Sequence, residues 1–230
     1  MKKLLLVALF GALGFSQLSA QTVQQNMGWF ALFNATKFNS KWGLALDIQV
    51  RSADDWAYVR NTLFRPGLTY YINDKNNVTA GYALITTDNK VNTLLEHRIW
   101  EQYILTHKIS SVFAMHRFRL EQRFIETNGP DDTFSQRFRY FFRFIQPLQK
   151  QEGGFSKGAF VALQNEIFFN LQNKDKLNGS LFDQNRAYLA VGYRFSKKFD
   201  MEAGYLNQTQ KAASNTVMNN VIQLALYTRF

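Results

Sequence analysis

The feature that most constrains this fold is a strict alternation of side-chain character along much of the chain. Between positions 137 and 144, one face carries three arginines and a phenylalanine, whereas the opposite face is entirely aromatic. Positions 42 to 51 set five apolar residues against a face that ends in Asp47, Gln49 and Arg51. Alternation with a period of two is the signature of a β-strand that has one apolar and one polar face.

The same pattern, clear or weak, defines eleven segments. They are Met27–Phe38, Trp42–Arg51, Leu63–Ile72, Val78–Thr86, Glu96–Thr106, Arg117–Phe124, Gln136–Phe144, Phe160–Phe169, Asn185–Phe195, Met201–Gln208 and Ile222–Phe230. Pro66 is awkward within a strand because it donates no ladder hydrogen bond. Glu101 falls on the apolar face of its segment, which a β-bulge or a register slip would explain. The connections are predicted to alternate between short turns and longer loops, with residues 146–158 as an exception.

The N-terminus has the layout of a secretory signal peptide. Two lysines precede an apolar run from Leu4 to Phe15, and small and polar residues follow as far as Ala20. The run is too short to cross a bilayer as a helix, which needs about 20 apolar residues. We therefore predict a signal peptide over residues 1–20 and an exported domain over residues 21–230.

Composition narrows the class of this exported domain. The chain contains no cysteine, which excludes thiol catalysis and a cysteine metal site, and gives no support to a disulfide scaffold. No stretch after Ala20 approaches 18 apolar residues, which excludes a helical membrane protein. Aromatic residues make up 16% of the chain, yet the mean hydropathy is −0.27. This combination is typical of a membrane β-barrel, in which lipid meets one face of each strand and a polar lumen meets the other.

These observations predict a closed, antiparallel, transmembrane β-barrel of a Gram-negative outer membrane. A soluble sandwich also alternates, but it has no reason to oppose its apolar faces with rows of arginine. The final strand alternates to the terminal Phe230, and this ending resembles the assembly signal of outer-membrane proteins. Because single-chain bacterial barrels have an even number of strands, we predict twelve strands, with ten as the alternative.

Several strand segments resemble those of a known family. They are Glu96–Gln102, Arg117–Phe124 and Arg137–Tyr140, together with Trp29 and the strand from Asp47 to Arg51. With these phrases the chain resembles a Bacteroidota-type barrel family that is catalogued only as a domain of unknown function. The resemblance covers nearly the whole exported domain and implies an outer-membrane barrel. It implies no activity and no site residues.

The assigned register places twelve arginines on the inner face of the barrel. They are Arg51, Arg65, Arg98, Arg117, Arg119, Arg123, Arg137, Arg139, Arg143, Arg186, Arg194 and Arg229, and five acids share their side: Asp47, Glu96, Glu121, Glu166 and Glu202. Guanidinium groups bind carboxylates and phosphates, and rings of arginine select anions. One interpretation is a narrow, anion-preferring channel for small acidic solutes. The alternative is a structural barrel whose interior is plugged by ion pairs, since small barrels fill their lumen with side chains.

An enzyme is the rival class, in the form of a barrel-embedded hydrolase of lipids or of the cell envelope. Such an enzyme needs a nucleophile beside a base, and His97, His107 and His116 are the only histidines. We predict that His107 lies in a turn and that the other two point toward lipid, so we expect no catalytic residues. We also expect no metal and no cofactor. The expected partners are outer-membrane lipids, lipopolysaccharide, the barrel-assembly machinery and a small acidic solute, but not nucleic acid; the oligomeric state stays open.

Overall fold

A computed structural model describes residues 22–149 and 154–230, so the predicted signal peptide lies outside the described residues. The described chain consists of eleven β-strands and one 3-10 turn, Lys174–Lys176. In order, the strands are β1 Thr22–Lys37, β2 Trp42–Ala53, β3 Tyr58–Tyr71, β4 Asn76–Asp88, β5 Thr93–Ile109, β6 Val112–Ile125, β7 Thr133–Pro147, β8 Gly158–Asn170, β9 Phe182–Ser196, β10 Phe199–Lys211 and β11 Thr216–Arg229. In these two ranges, no helix is long and apolar enough to cross a bilayer.

The strands close into one barrel in which each strand pairs with its neighbours in sequence, and β1 pairs with β11. All sequential pairs are antiparallel, whereas β1 and β11 run parallel from the Thr22–Thr216 pair to the Ala35–Arg229 pair. The prediction of twelve strands, with ten as its alternative, was therefore wrong, although all eleven assigned segments are strands. The even-number rule assumes antiparallel closure, and a parallel pair removes that requirement.

The barrel has two ends, which we name after the first and last described residues. The Thr22 end carries the connections 54–57, 89–92, 126–132, 171–181 and 212–215. The Phe230 end carries 38–41, 72–75, 110–111 and 197–198, and the described parts, 148–149 and 154–157, of the connection between β7 and β8. The contrast in connection length is smaller than predicted, because most strands extend beyond their clearly alternating segments. His107 illustrates this extension, since it lies within β5 and not in the predicted turn.

The outer face of the barrel is largely apolar. Exposed large side chains on this face come from every strand except β7 and include Phe30, Phe64, Ile99, Leu189 and Ile222. Glu101 also lies on this face, where it accepts a hydrogen bond of 3.2 Å from the side chain of Gln122. The ladders of β5 with β4 and with β6 run without a register shift, so the bulge considered for this segment is not present.

The ladder has irregularities at other places. Register shifts occur at Arg51/Ser52, at Phe168/Phe169 and at Phe199/Asp200. The ladder between β3 and β4 keeps its register but omits the two positions that end at Pro66. This interruption follows from the missing N–H of proline, as the sequence indicated.

Part of the interior is apolar and closely packed. Trp100 lies against the paired Gly67 and Gly81, where an added Cβ would come within 2.6 and 2.3 Å of its ring. Only glycine permits this approach of a large ring to the barrel wall. A second apolar cluster includes Met27, Trp29, Phe160, Tyr188, Leu206 and Val221. The charged side chains occupy the space that these two clusters leave.

Candidate functional site: an arginine-lined lumen

Side chains from almost every strand build the ionic part of the interior. The alternation along each strand directs one side chain in two toward the lumen. Seven of the arginines are buried: Arg51, Arg65, Arg98, Arg119, Arg137, Arg139 and Arg143. Arg117, Arg123, Arg186, Arg194 and Arg229 also form ion pairs with acids of the interior. All twelve arginines assigned to the inner face therefore lie on that side of the sheet.

Glu121 lies at the centre of the largest cluster, which we call the Glu121 network: Glu121 with Arg98, Arg119, Arg137 and Arg139. The Glu121 carboxylate is 2.6 Å from Arg137 and also accepts a hydrogen bond from Arg139. Arg98 and Arg119 approach it at 3.6 and 3.9 Å. Its side chain is only 1% exposed, so this carboxylate depends on its arginine neighbours for solvation.

Two further acids extend this pattern along the wall from β5 to β8. Glu96 pairs with Arg98 at 2.7 Å and with Arg123 at 2.5 Å. Glu166 pairs with Arg117 and Arg139, each at 2.7 Å. Because each carboxylate is shared between arginines of different strands, the ion pairs connect the wall laterally.

The Phe230 end has ion pairs of its own. Asp200 lies 2.7 Å from both Arg194 and Arg229. Glu202 pairs with Arg143 and accepts a hydrogen bond of 2.9 Å from the Tyr227 hydroxyl. The predicted assembly residue, Phe230, is exposed at this end, and its backbone N–H donates to Ala35 at 2.9 Å.

The lumen carries more cations than anions. The acids paired there are Asp47, Glu96, Glu121, Glu166, Asp183, Asp200 and Glu202. The twelve arginines of the inner face therefore meet seven acids, an excess of five positive charges within this set of described residues, and Arg60, Lys75 and Lys108 also line the cavities. Burying a charge without a counter-charge is costly, so this interior attracts mobile anions.

The excess lies mainly at Arg51, Arg119 and Arg186. Arg119 is 3.9 Å from Glu121, bonds the Gln102 side chain at 2.6 and 3.1 Å and lies over the ring of Trp100. Among residues 22–149 and 154–230, no acid lies within ion-pair distance of Arg51. It bonds the Gln49 side chain at 2.5 and 3.1 Å and stacks on Trp29 at 3.8 Å. Arg186 reaches Glu166 only at 4.0 Å and lies over the rings of Trp29 and Phe168. An aromatic face attracts a cation without neutralising it. The guanidinium groups of Arg51 and Arg186 therefore keep their capacity to bind an anion.

Three cavities follow one another through the barrel. The Thr22 cavity has a volume of about 430 Å³, and the middle cavity has about 280 Å³. The five residues that line both form what we call the Trp29 layer: Trp29, Arg51, Arg65, Arg139 and Arg186. The Phe230 cavity has about 790 Å³ and shares Met115, Arg143, Tyr227 and Arg229 with the middle cavity. The two inner boundaries between these cavities thus consist largely of arginine side chains.

The alternation places the three histidines on the outer side of the sheet, and His107, near the end of β5, also lines the Phe230 cavity. His97 is hydrogen-bonded to the hydroxyl of Tyr82. His116 lies 2.9 Å from the Tyr140 hydroxyl and 3.2 Å from His107. The hydrolase alternative gains no nucleophile from these contacts and stays an untested hypothesis. Within residues 22–149 and 154–230, no group of three His, Asp or Glu side chains could hold a metal ion.

Sequence reasoning missed several members of the site. Asp200 lies two residues before Glu202 and therefore on the same face of the strand, but the predicted strand began only at Met201. Asp183 precedes the Phe168/Phe169 register shift, where parity fails, and the sequence carried no signal for it. The buried amides Gln184, Gln208 and Asn219 were also missed, because neutral polar residues do not stand out beside arginine.

Comparison with known proteins places the chain in a family. The model of a family described as "Protein of unknown function (DUF2490)" matches residues 26–219. The chain belongs to this family. The DUF2490 match confirms the resemblance to a family of unknown function that the strand phrases carried. An uncharacterized protein of Methylorubrum extorquens is 29% identical over 235 residues, which cover 99% of this chain and 98% of that protein. No solved structure matches the chain.

Proposed function

We propose that this DUF2490 protein is an outer-membrane β-barrel that forms a narrow, anion-preferring channel for small acidic solutes. The observation that carries the proposal is the row of three cavities whose boundaries are lined by arginine, in a lumen where arginines outnumber the paired acids. Rings of arginine attract anions and repel cations, and field lines concentrate in a narrow low-dielectric passage.

The outer surface supports insertion into a bilayer. A barrel closes all of its backbone hydrogen bonds internally, which is the condition for crossing hydrocarbon with strands. Apolar side chains cover the outer face, and the charged side chains lie mainly within the lumen. Tight turns at 110–111 and 197–198 favour placing the Phe230 end in the periplasm. The parallel β1–β11 pair then puts Thr22 on the cell surface.

Cysteine labelling tests the location and the orientation, because the chain has no cysteine of its own. Asp131→Cys lies in a connection at the Thr22 end and Lys197→Cys in a turn at the Phe230 end. In intact cells, a membrane-impermeant maleimide should label Asp131→Cys and spare Lys197→Cys, and both should react after lysis. Equal labelling of both variants in intact cells, or recovery of the chain in the soluble fraction, would contradict the proposed location.

Conduction is tested separately with the exported domain, residues 21–230, refolded and placed in a planar bilayer. We expect steady single-channel currents and a reversal potential of the sign that anion selectivity produces in a potassium chloride gradient. A folded barrel that passes no current would reject the channel and favour the structural barrel with a plugged interior. A cation-selective current would reject the role of the arginines.

A further inference from the structure

We propose that the Trp29 layer and the amides beside it form a binding site for a hydroxylated carboxylic acid of the sugar-acid class. This inference rests on the proposed channel and names the solute class at its narrow part. The site consists of the guanidinium groups of Arg51, Arg65 and Arg186, the indole of Trp29, and the side chains of Gln184, Gln208 and Asn219.

The Trp29 layer contains buried donors that have no partner. The indole Nε1 of Trp29, the Nε of Arg65 and the Nε of Arg186 are each shielded from solvent and make no hydrogen bond within the part of the chain that the structure describes. Trp29 is 6% and Arg65 is 4% exposed, and both residues line the Thr22 and middle cavities together with Arg186. Buried donors are normally satisfied, and these three belong to side chains that line the same two cavities, which favours a ligand that carries acceptors.

The electrostatics of the layer favour an anionic acceptor. Arg51 bonds only the neutral Gln49 amide and the Trp29 ring, and Arg186 reaches its nearest acid at 4.0 Å. A carboxylate bound here would receive charge-assisted hydrogen bonds and would neutralise cations that the protein leaves unpaired. A neutral solute would satisfy the donors but leave that charge in place.

Neutral amides adjoin the cations and supply the second half of the site. Gln184, Gln208 and Asn219 are buried, and all three line the Thr22 cavity. They form a chain in which Asn219 donates to Gln208 at 3.0 Å and Gln208 donates to Gln184, while the Oδ1 of Asn219 has no partner. An orphan acceptor beside orphan donors fits a ligand that also carries hydroxyl groups. Inorganic phosphate and acetate offer no such hydroxyl arrangement.

The cavity has room for a ligand of this kind. Its volume of about 430 Å³ lies within the range of small-molecule sites, roughly 300–1,000 Å³. The ring of Phe168 also lines the cavity, beneath Arg186. A combination of a few fixed polar groups with aromatic surface is typical of ligand sites in proteins.

Binding is tested by isothermal titration of the folded full-length exported domain in detergent, where no transport takes place. The probes are D-galacturonate, its neutral counterpart D-galactose, acetate and inorganic phosphate. We expect saturable binding of galacturonate and affinities at least about tenfold weaker for the other three. Galactose lacks the charge, acetate lacks hydroxyls, and phosphate carries its hydroxyls on the same atom as its charge, so it cannot engage the cations and the amides at separate positions.

Variants locate the site. Arg186→Gln should weaken galacturonate about tenfold or more, since it removes a charged donor. Asn219→Leu and Trp29→Phe should each weaken it about two- to tenfold, and Trp29→Phe keeps the ring while removing the donor. Lys197→Gln, in a turn at the Phe230 end, is the charge-matched control and should bind like the wild type. Heat-modifiable gel mobility verifies that each variant is folded.

The results separate this inference from the proposed function. Conduction without galacturonate binding, or binding that none of the three lumen variants weakens, overturns the site and leaves the channel standing. Phosphate or acetate binding as tightly as galacturonate overturns the solute class. Galacturonate binding to a barrel that passes no current rejects the channel but supports the site.

Discussion

The arginine side chains have different partners in two sectors of the same lumen. On the wall from β5 to β8, Glu121 and its neighbours Glu96 and Glu166 bind arginines at distances of 2.5–3.0 Å. Arg119 is the exception, since it is 3.9 Å from Glu121 and bonds the Gln102 amide. In the Trp29 layer, Arg51 and Arg186 are held by glutamine amides and by aromatic rings.

The difference separates a structural use of charge from a functional use. An arginine that shares a buried carboxylate is fixed in place and contributes to cohesion between strands. An arginine held by an amide and a ring is positioned but not neutralised, so it can meet a passing anion. Counting arginines in the lumen therefore overestimates how many can select for anions.

The largest effect is expected from Glu121→Gln, which leaves four arginines of the Glu121 network without their central anion. Removing one partner of a buried ion pair costs about 3–5 kcal/mol, because the remaining charge is buried and uncompensated. Urea unfolding in detergent, monitored by gel mobility, measures this loss. The control is Asp74→Asn, in the exposed connection 72–75, which should change little. Equal stability of the two variants would contradict the structural role of the network.

The next effect contrasts an arginine from each sector. Arg137→Gln removes ion pairs with Glu121 and Asp183 and should destabilise the barrel by about 1.5–3 kcal/mol. Arg51→Gln removes a cation that has no acid partner and should change the free energy of unfolding by less than about 1 kcal/mol. Unfolding midpoints compare them directly, and a larger loss for Arg51→Gln would reverse the assignment of the two sectors.

A smaller effect is expected when Arg51 is given a carboxylate partner like those of the arginines on the wall from β5 to β8. Gln49→Glu places a carboxylate on the side chain that already bonds Arg51 and should neutralise it, while it also replaces the amide that donates to Asp47 at 2.9 Å with a group that repels this carboxylate. We expect a shift in melting temperature of no more than about 2–4 °C, equivalent to about 1 kcal/mol. The anion preference of the current should fall, as the reversal potential records. An unchanged preference would indicate that Arg51 takes no part in selectivity.

The smallest effect is expected at the barrel rim, where Lys90 pairs with Asp54 in full contact with water. The Asp54 carboxylate raises the pKa of Lys90 above its ordinary value of 10.5. This contribution is therefore complete below about pH 10.5 and is lost as the pH rises through the raised pKa. Lys90→Gln should melt like the wild type at pH 7, since exposed pairs contribute little.

Trp56 reports this rim contact because it lies in the same connection as Asp54. The wild type should show a change in its fluorescence at alkaline pH that Lys90→Gln lacks. A clear loss of stability in Lys90→Gln at neutral pH would mean that the rim pair resembles the buried network, contrary to its exposure.

The sequence predicted the side of the sheet on which residues lie better than it predicted how the strands pair to close the barrel. Parity placed Arg137, Arg139 and Glu121 on one side because each strand is regular there. The alternation does not tell which acid each arginine contacts. The sequence therefore could not predict that arginines of the Glu121 network have carboxylate partners whereas Arg51 has an amide partner. The strand number was misjudged because nothing in the alternation of β1 reveals that its partner, β11, runs parallel to it.

The most direct test of this account is the reversal potential of Arg51→Gln/Arg186→Gln beside that of the wild type, in a tenfold potassium chloride gradient. We predict an anion-selective wild type and a double variant that conducts with little or no anion preference. Lys197→Gln should keep the wild-type value. A conducting double variant with undiminished anion selectivity would contradict the claim that the uncompensated arginines of the Trp29 layer select the solute.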